Sequence, residues 1–411
     1  MCPCQPVCAS DGDDALRREA ILTVNTGSSS IKLSAYERSG MTLGNCLLKV
    51  NLSGLPNDMR FVAKTPEERL DRMPEALSSR VSHQKELVGA LAKWAADALQ
   101  DVDLRAIGHR VVHGGRDFDG PVLANKKILE HLRGLSSLAP SHQPANLDGV
   151  KGISRIWPEI PQTLSFDTAF HRTQPRVAQL YAIPRHLSEE GLLRFGFHGL
   201  SYDHIASQLE GLTEAGKRSR VIAAHLGSGA SVCAMLNGKS IATSMGLTAL
   251  DGVPMSTRAG SVDPGLLLHL MMDKGMSARD LSTMLYKESG LLGLSGISGD
   301  VRELLENSET AAMEALAVYT YRIAREIGSL ATALHGVDTL VFTGGVGENS
   351  APVRQDICAH LEWMGLQIDS SANDAGHREI QTPASKVQVL VIPANEEVVI
   401  ARDALSVLEA R

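Results

Sequence analysis

The sequence has no run of about 18 apolar residues, the length a membrane-spanning helix needs, so no membrane span is expected. It has no basic cluster either. With a formal net charge of -7, 43% hydrophobic and 21% charged residues, the chain reads as a soluble globular protein without a general nucleic-acid surface. The opening MCPCQPVCASDGDDALRREA lacks the apolar centre of a secretory leader and carries acidic residues where a leader is basic. Residues 1–20 are therefore expected to be a mobile tail on a cytoplasmic protein. Cysteine is scarce: Cys2, Cys4 and Cys8 crowd into the tail, and Cys46, Cys233 and Cys358 lie scattered. Without a leader the thiols are expected to be free, and three clustered thiols with no nearby histidine make a poor metal site. No low-complexity linker divides the chain, although its length favours two domains. The boundary is expected near Phe170.

What the sequence does contain is a pattern used twice. ILTVNTGSSSIKLSAYE, from Ile21 to Glu37, and VIAAHLGSGASVCAML, from Val221 to Leu236, are each an apolar run, a Gly/Ser-rich turn and a second apolar run. That is strand, tight turn, strand. Such turns leave backbone N–H groups and hydroxyls free to surround an anion, most often phosphate, and two of them suggest two halves facing one nucleotide. Strand-like runs at Ile107–Val112, Thr163–Phe166, Val221–His225, Thr339–Thr343 and Val387–Ile392 alternate with helical ones, the signature of an α/β protein. The spacing of apolar residues predicts a long helix over Thr310–Leu334, with Tyr319 and Tyr321 in core or edge packing. It also predicts a shorter one over Gln84–Leu99 anchored by Trp94.

Several short segments carry residue types that packing does not demand. NTGSSSIK supplies Asn25, the hydroxyls of Ser28 and Ser30, and the ammonium of Lys32; taken alone it is equally a polar hairpin. Arg110 sits inside the apolar strand of AIGHRVVHGG and needs a partner, either a structural carboxylate or an anionic substrate. His109 and His113, four apart on a strand, are expected to be hydrogen-bonded structural residues. SFDTAFH ends a strand in Asp167, at the end where α/β proteins place their ligands. Alone, His198 in RFGFHGLSY is a buried histidine, Arg258 in MSTRAGSVDPG a surface ion pair, and Glu396 and Glu397 caps of a helix start. FTGGVGENS is a strand followed by a glycine-rich turn before a helix.

Taken in order, NTGSSSIK, GHRVVHGG, FDTAFH, FGFHG, HLGSGAS, STRAGSVDPG, GISGDVREL, FTGGVGENS and PANEEVVIARDA resemble the acetokinase family from about Ile21 to Arg402. The resemblance implies two ribonuclease-H-like domains of the actin, sugar-kinase and chaperone-ATPase superfamily, with the nucleotide in an interdomain cleft. It implies an N-terminal domain of residues 21–170 joined by a C-terminal helix at about 398–411, and a nucleotide-binding domain of residues 171–397. The implied reaction is reversible transfer of the ATP γ-phosphoryl group to acetate, giving acetyl phosphate and ADP, with Mg2+, or Mn2+ in its place, in a homodimer. Asn25 and Glu396 are then implied for the metal, Lys32 for the ATP phosphates, and Arg110 for the acyl substrate beside Val112 and Phe197. Asp167 takes an acid/base or metal-orienting position, and His198 and Arg258 stabilise the transition state. His225, Leu226, Gly227, Ser228 and Gly229, then Asp300, Val301 and Arg302, then Gly345, Val346, Gly347, Glu348 and Asn349 line the nucleotide. Because acetate is already a nucleophile at neutral pH, no strong general base is needed, and Asp167 is better suited to orienting the metal or its water. The chain departs from the family at Ser228, Leu200 and Arg116, and near the acyl group at Ser141 and Ala249. Propionate or butyrate kinase, a non-catalytic ATP-binding module of the same fold, and a glycerol- or sugar-type kinase are the alternatives.

Overall fold

The computed structural model describes residues 18–27, 30–55, 59–71, 73–74, 77, 84–140, 142–209 and 219–410. The chain opens with five strands, β1 (Arg18–Thr26), β2 (Ser30–Ser39), β3 (Thr42–Ser53), β4 (Arg60–Lys64) and β5 (Arg69–Leu70). Helix α1 (Gln84–Ala98), β6 (Val102–Val111), the two-residue β7 (Val122–Leu123), α2 (Gln143–Ile156) and β8 (Gln162–Phe166) follow. Two compact units emerge. The first holds the described residues up to His109, Ala145–Thr163 and the stretch from Ala401 onward, and the second holds Arg110–Pro144 and Leu164–Ile400. Every crossing falls inside an element: β6, α2, β8 and the C-terminal helix Glu396–Glu409. Beside the division read from the sequence, near Phe170 with a C-terminal helix of about 398–411 joining the first domain, the compact units divide within β6, α2 and β8 and at Ala401. A strand that runs from one core into another has no break in composition to betray it.

In the first unit the strand order is β5-β4-β3-β2-β1-β6-β8. β1 pairs antiparallel with β2 and parallel with β6. Alternate residues of β1 and β2, Leu22 and Val24 with Ile31 and Leu33, are buried against Leu87, Val88 and Leu91 of α1. Each such side chain contributes roughly 1.5–3 kcal/mol through the apolar surface it removes from water. Trp94 anchors α1 as expected, its ring set edge-on to Phe61 with centroids 5.2 Å apart.

The second unit is built on β9 (Arg220–Leu226), β10 (Ala230–Leu236), β11 (Lys239–Thr243), β12 (Thr339–Thr343) and β13 (Gln388–Val391), in the order β11-β10-β9-β12-β13. The period of two along β9 divides its side chains between two layers. Val221 and Ala223 face helix α3 (Gly199–Leu209) through Tyr202 and Ile205. Ile222 and Ala224 share a cluster with Tyr319, Ile323 and Ile327 of the long helix α4 (Thr310–Ala333). Within α4, Ala312 and Ala315 are buried, whereas Met313 is 55% exposed and Tyr321 lies at the edge, in contact with His360 and Arg325. The close-packed face of this helix is thus made of small residues at its start, which periodicity of large apolar residues does not reveal. The glycine-rich FTGGVGENS also differs from a turn: β12 passes directly into the short helix α5 (Gly344–Asn349).

Candidate active site

In the second unit the site grows from the carboxyl ends of strands. β6 delivers Arg110 and β8 delivers Asp167 one residue beyond its end. Arg110 grips Asp167 with two parallel hydrogen bonds, Nε to Oδ1 at 2.8 Å and Nη2 to Oδ2 at 2.6 Å. Its Nη1 lies 3.7 Å from Oε2 of Glu396, the first residue of the C-terminal helix. The partner demanded by an arginine within an apolar strand is therefore a carboxylate pair. Burial opposes the charge on Arg110, but the pull of Asp167 and Glu396 outweighs it and its pKa is raised. Burial likewise raises Asp167, against the guanidinium beside it. Such an ion pair is costly to break from one side, because the remaining charge stays buried.

Gly199 explains how His198 comes to this point. Its N–H donates to the Asp167 carbonyl at 2.9 Å, and a Cβ there would collide with that same oxygen. His198, the residue before it, has φ 57°, a left-handed conformation that side chains rarely adopt. His198 Nδ1 lies 2.8 Å from Ser231 Oγ, and its ring stacks on His225 with centroids 4.4 Å apart. His225 Nδ1 in turn meets Ser201 Oγ at 2.9 Å. Burial first, then the neighbouring charges of His225, Arg110 and Arg258, hold His198 well below the usual histidine range. The imidazole is neutral at neutral pH.

Arg258 is not a surface ion pair. Its Nη1 donates to the Ala249 carbonyl at 2.8 Å, and among the described residues no carboxylate lies within salt-bridge distance. Burial and the nearby Arg110 lower its pKa. A Cβ built on Gly229 would lie 3.3 Å from His198 Nε2 and 3.4 Å from Arg258 Nη2, so both nitrogens border the space beside this glycine. Val112 and Phe197 are buried in the adjoining apolar cluster, with Ala249 packed against it. Ser141 and Ser28 lie outside the described residues.

The remaining turns of this unit meet through backbone contacts. The β9–β10 turn closes with Gly227 N–H on the Gly229 carbonyl at 3.0 Å, and Ser228 accepts from Ser256 N–H at 3.2 Å. A Cβ on Gly299 would lie 2.8 Å from the Ser256 carbonyl, which brings Asp300–Arg302 beside the same segment. Asp300 caps the helix Val301–Leu305 and chelates the exposed Arg302. Gly344 has φ 78°, and a Cβ there would sit 2.7 Å from the Leu226 carbonyl, so only glycine lets α5 start against β9. Behind α5, buried Arg354 donates to the carbonyls of Gly347 and Glu348, each at 2.9 Å, and to Asn373. Glu348 accepts from Ala394 N–H, and Asn349 donates to the Gly345 carbonyl.

In the first unit, Asn25 and Lys32 face one another across the β1–β2 hairpin, on one side of the pleat. The turn closes with Gly27 N–H on the Ser30 carbonyl at 2.8 Å, and Asn146 of α2 donates to the Thr26 carbonyl. His109 and His113 take the structural roles expected. His109 Nε2 meets Gln162 at 2.7 Å, and His113 Nδ1 accepts from Gly115 N–H at 2.9 Å.

Three residues were not visible as site candidates. His142 is held near pKa 4 by burial and then by the charges of Arg258 and Arg110. Ser231 and Tyr202 lie behind His198, with Tyr202 OH 2.5 Å from Ser231 Oγ. Of these only His142, beside Pro140 and Pro144 in a loop, offered a sequence signal. Of the departures, Leu200 packs with Val399 and Ile400, and exposed Arg116 donates to the Glu189 carbonyl. No group of three or more His, Cys, Asp or Glu able to hold a metal occurs among the described residues. Asp167 and Glu396 are nevertheless two hard oxygen donors on one guanidinium, a set that suits a cation completed by water and phosphate oxygens.

Comparison with known proteins agrees with this geometry. The acetokinase family model matches residues 20–402. The acetate kinase of Rhodopseudomonas palustris (strain ATCC BAA-98 / CGA009) is 44% identical over 388 residues, which cover 93% of this chain and 97% of that protein. The crystal structure of a propionate kinase from Francisella tularensis subsp. tularensis SCHU S4 superimposes with TM-score 0.85 at 35% identity, over 94% of this chain and 99% of that one. Porphyromonas gingivalis acetate kinase superimposes with TM-score 0.80 at 37% identity, over 95% and 100%. The two-domain α/β fold expected from the repeated strand–turn–strand is the fold of these solved kinases. With the family match running almost end to end and the fold in common, the chain belongs to the acetokinase family.

Proposed function

We propose that the chain is an acetate kinase, transferring the γ-phosphoryl group of ATP to a carboxylate oxygen of acetate and releasing ADP, and running the reverse reaction from acetyl phosphate. The observation that carries this reading is that His198 Nε2 and Arg258 Nη2 border the space beside Gly229, with no carboxylate within salt-bridge distance of Arg258 among the described residues. A guanidinium so placed next to a neutral histidine suits a transferring phosphoryl group whose equatorial oxygens carry charge. The new P–O bond forms as the bond to ADP breaks. No proton moves, because the attacking carboxylate is already ionised.

Arg110, aligned by Asp167, binds the acyl carboxylate, and Val112 and Phe197 enclose its alkyl end. The turn residues His225–Gly229, the Asp300–Arg302 cap and Gly345–Asn349 hold the nucleotide. On the hairpin of the first unit, the Lys32 ammonium suits phosphate oxygens and the Asn25 amide the shell of a cation. Glu396, with Asp167 orienting, supplies carboxylate oxygens for Mg2+, or Mn2+; when bound, the ion offsets triphosphate charge. Among the described residues Cys46, Cys233 and Cys358 form no disulfide, which suits a cytoplasmic location.

The likeness to a propionate kinase supports a second reading in which propionate is the better acceptor. A hydroxamate assay of acyl phosphate with ATP and acetate, propionate, butyrate or glycerol tests both. Acetate is expected to react, propionate to fall within about tenfold of it in kcat/KM, since one methylene discriminates weakly, and glycerol to give nothing. No acyl phosphate from any short carboxylate would remove the enzymatic reading. A homodimer is proposed as well. No residue of the apolar helix Pro264–Met272 is buried, and a second copy covers Leu266, Leu268 and Met272. Sedimentation of a monomer alone at micromolar concentration would contradict it.

A further inference from the structure

Behind His198 lies a chain of buried hydrogen-bonding groups. Tyr202 is fully buried on α3, and its oxygen is 2.5 Å from Ser231 Oγ on β10, which is 2.8 Å from His198 Nδ1. Tyr202 keeps its proton, because burial and then the neighbouring Cys233 raise its pKa well above the ordinary value. The phenol oxygen also accepts a hydrogen bond from the backbone of His225, so its own proton has Ser231 Oγ as its acceptor. Ser231 is buried too, and the other partner of its hydroxyl is His198 Nδ1. Were Nδ1 protonated, Ser231 would receive two donors and its own proton would be left without an acceptor inside the protein. Leaving a buried hydroxyl proton without an acceptor is costly.

We propose that Ser231 and Tyr202 are positioning residues that fix His198 as the tautomer protonated on Nε2, so that a neutral N–H is presented beside Gly229 together with the Arg258 guanidinium. The inference rests on the reading of this site as phosphoryl-transferring. The opposite tautomer presents a lone pair to the same place, where it repels phosphoryl oxygens. The left-handed backbone at His198, φ 57°, is a strain that the surrounding structure sustains, and the hydrogen bond to Ser231 ties the strained residue's ring to the sheet. The hydroxyls of Ser231 and Tyr202 are joined in series to His198, and Tyr202 also meets the backbone of His225.

Proton–nitrogen correlation spectra of isotope-labelled histidines in the nucleotide-free protein test the assignment, with His198→Gln identifying the resonances. The wild type is expected to show a bare Nδ1 and a protonated Nε2 at His198. Ser231→Ala, which is smaller and leaves the backbone unchanged, is expected to shift the ring toward Nδ1–H and to lower kcat at least about tenfold, with both KM values within about twofold. Ser231→Thr, which keeps the hydroxyl, restores the wild-type tautomer, and Tyr202→Phe gives a mixture. A wild-type His198 protonated on Nδ1, or an unchanged tautomer in Ser231→Ala, overturns the proposal. The spectra do not depend on turnover. A protein with the expected tautomer that makes no acyl phosphate contradicts the kinase reading, not the placement of the proton.

Discussion

At the scale of the residue, the two arginines differ in what holds them, and that difference is measurable. Arg110 has a buried carboxylate as its partner, whereas Arg258 has a carbonyl and, among the described residues, no carboxylate. Both Arg110→Ala and Arg258→Ala are expected to lower turnover by at least about a hundredfold in the hydroxamate assay, since each removes a fixed donor from charge that develops in a dry site. Only Arg110→Ala should also lower the melting temperature, because it strands Asp167, at a cost of about 3–5 kcal/mol. Adding Asp167→Asn should return most of that stability and none of the turnover. An Arg110→Ala protein as stable as the wild type would mean the pair is not buried as described. Arg110 and Asp167 were legible in the sequence because charged groups inside or at the end of apolar strands need an explanation. Ser231 and Tyr202 were not, because a serine on a strand and a tyrosine on a helix face fit ordinary packing, and only distance reveals their alignment on His198.

At the scale of the element, two adjacent glycines of α5 give opposite expectations. Gly344→Ala forces a Cβ against the Leu226 carbonyl at φ 78°, and should destabilise the second unit by about 1–3 kcal/mol. Gly345 has nothing within 4 Å of where its Cβ would lie. Gly345→Ala should therefore leave the melting temperature within about a degree, while weakening nucleotide binding if phosphate approaches the backbone there. Calorimetric titration with ADP on both variants separates the two effects; unchanged affinity in Gly345→Ala would take this turn out of the nucleotide site. Short continuous apolar strands such as β12, buried at every residue, and the long amphipathic α4 were readable almost to the residue. The helical form of α5 was not. Its glycines carry no periodicity, and the elements on which it depends, β9 and the buried Arg354, are distant in sequence.

At the scale of the whole molecule, buried neutral histidines make the fold acid-sensitive. Burial holds His109 and His171 near pKa 4, against hydrogen bonds to Gln162 and to the Phe197 carbonyl that work the other way. Unfolded, each titrates near 6.5, so between these values the unfolded chain binds protons that the native chain does not. Stability is therefore fully present above about pH 6.5 and falls as the pH drops toward 4. Melting temperatures across this range should decline, and His171→Asn should flatten the slope; a flat wild-type profile from pH 7 to 5 would show that these rings charge without penalty. The repeated strand–turn–strand makes a pair of units legible in the sequence, whereas the crossings within β6, α2 and β8 leave no mark on composition because each lies inside a continuous element.

Those borders have a consequence for how the protein is made. All of the second unit, Arg110–Pro144 and Leu164–Ile400, leaves the ribosome before the first unit receives its last piece, in which Ala401, Ala404 and Leu405 are buried. The part translated first is thus the part completed last. A released chain truncated after Ile400 should carry a protease-resistant second unit and a first unit open to cleavage; equal resistance of both units would contradict this order.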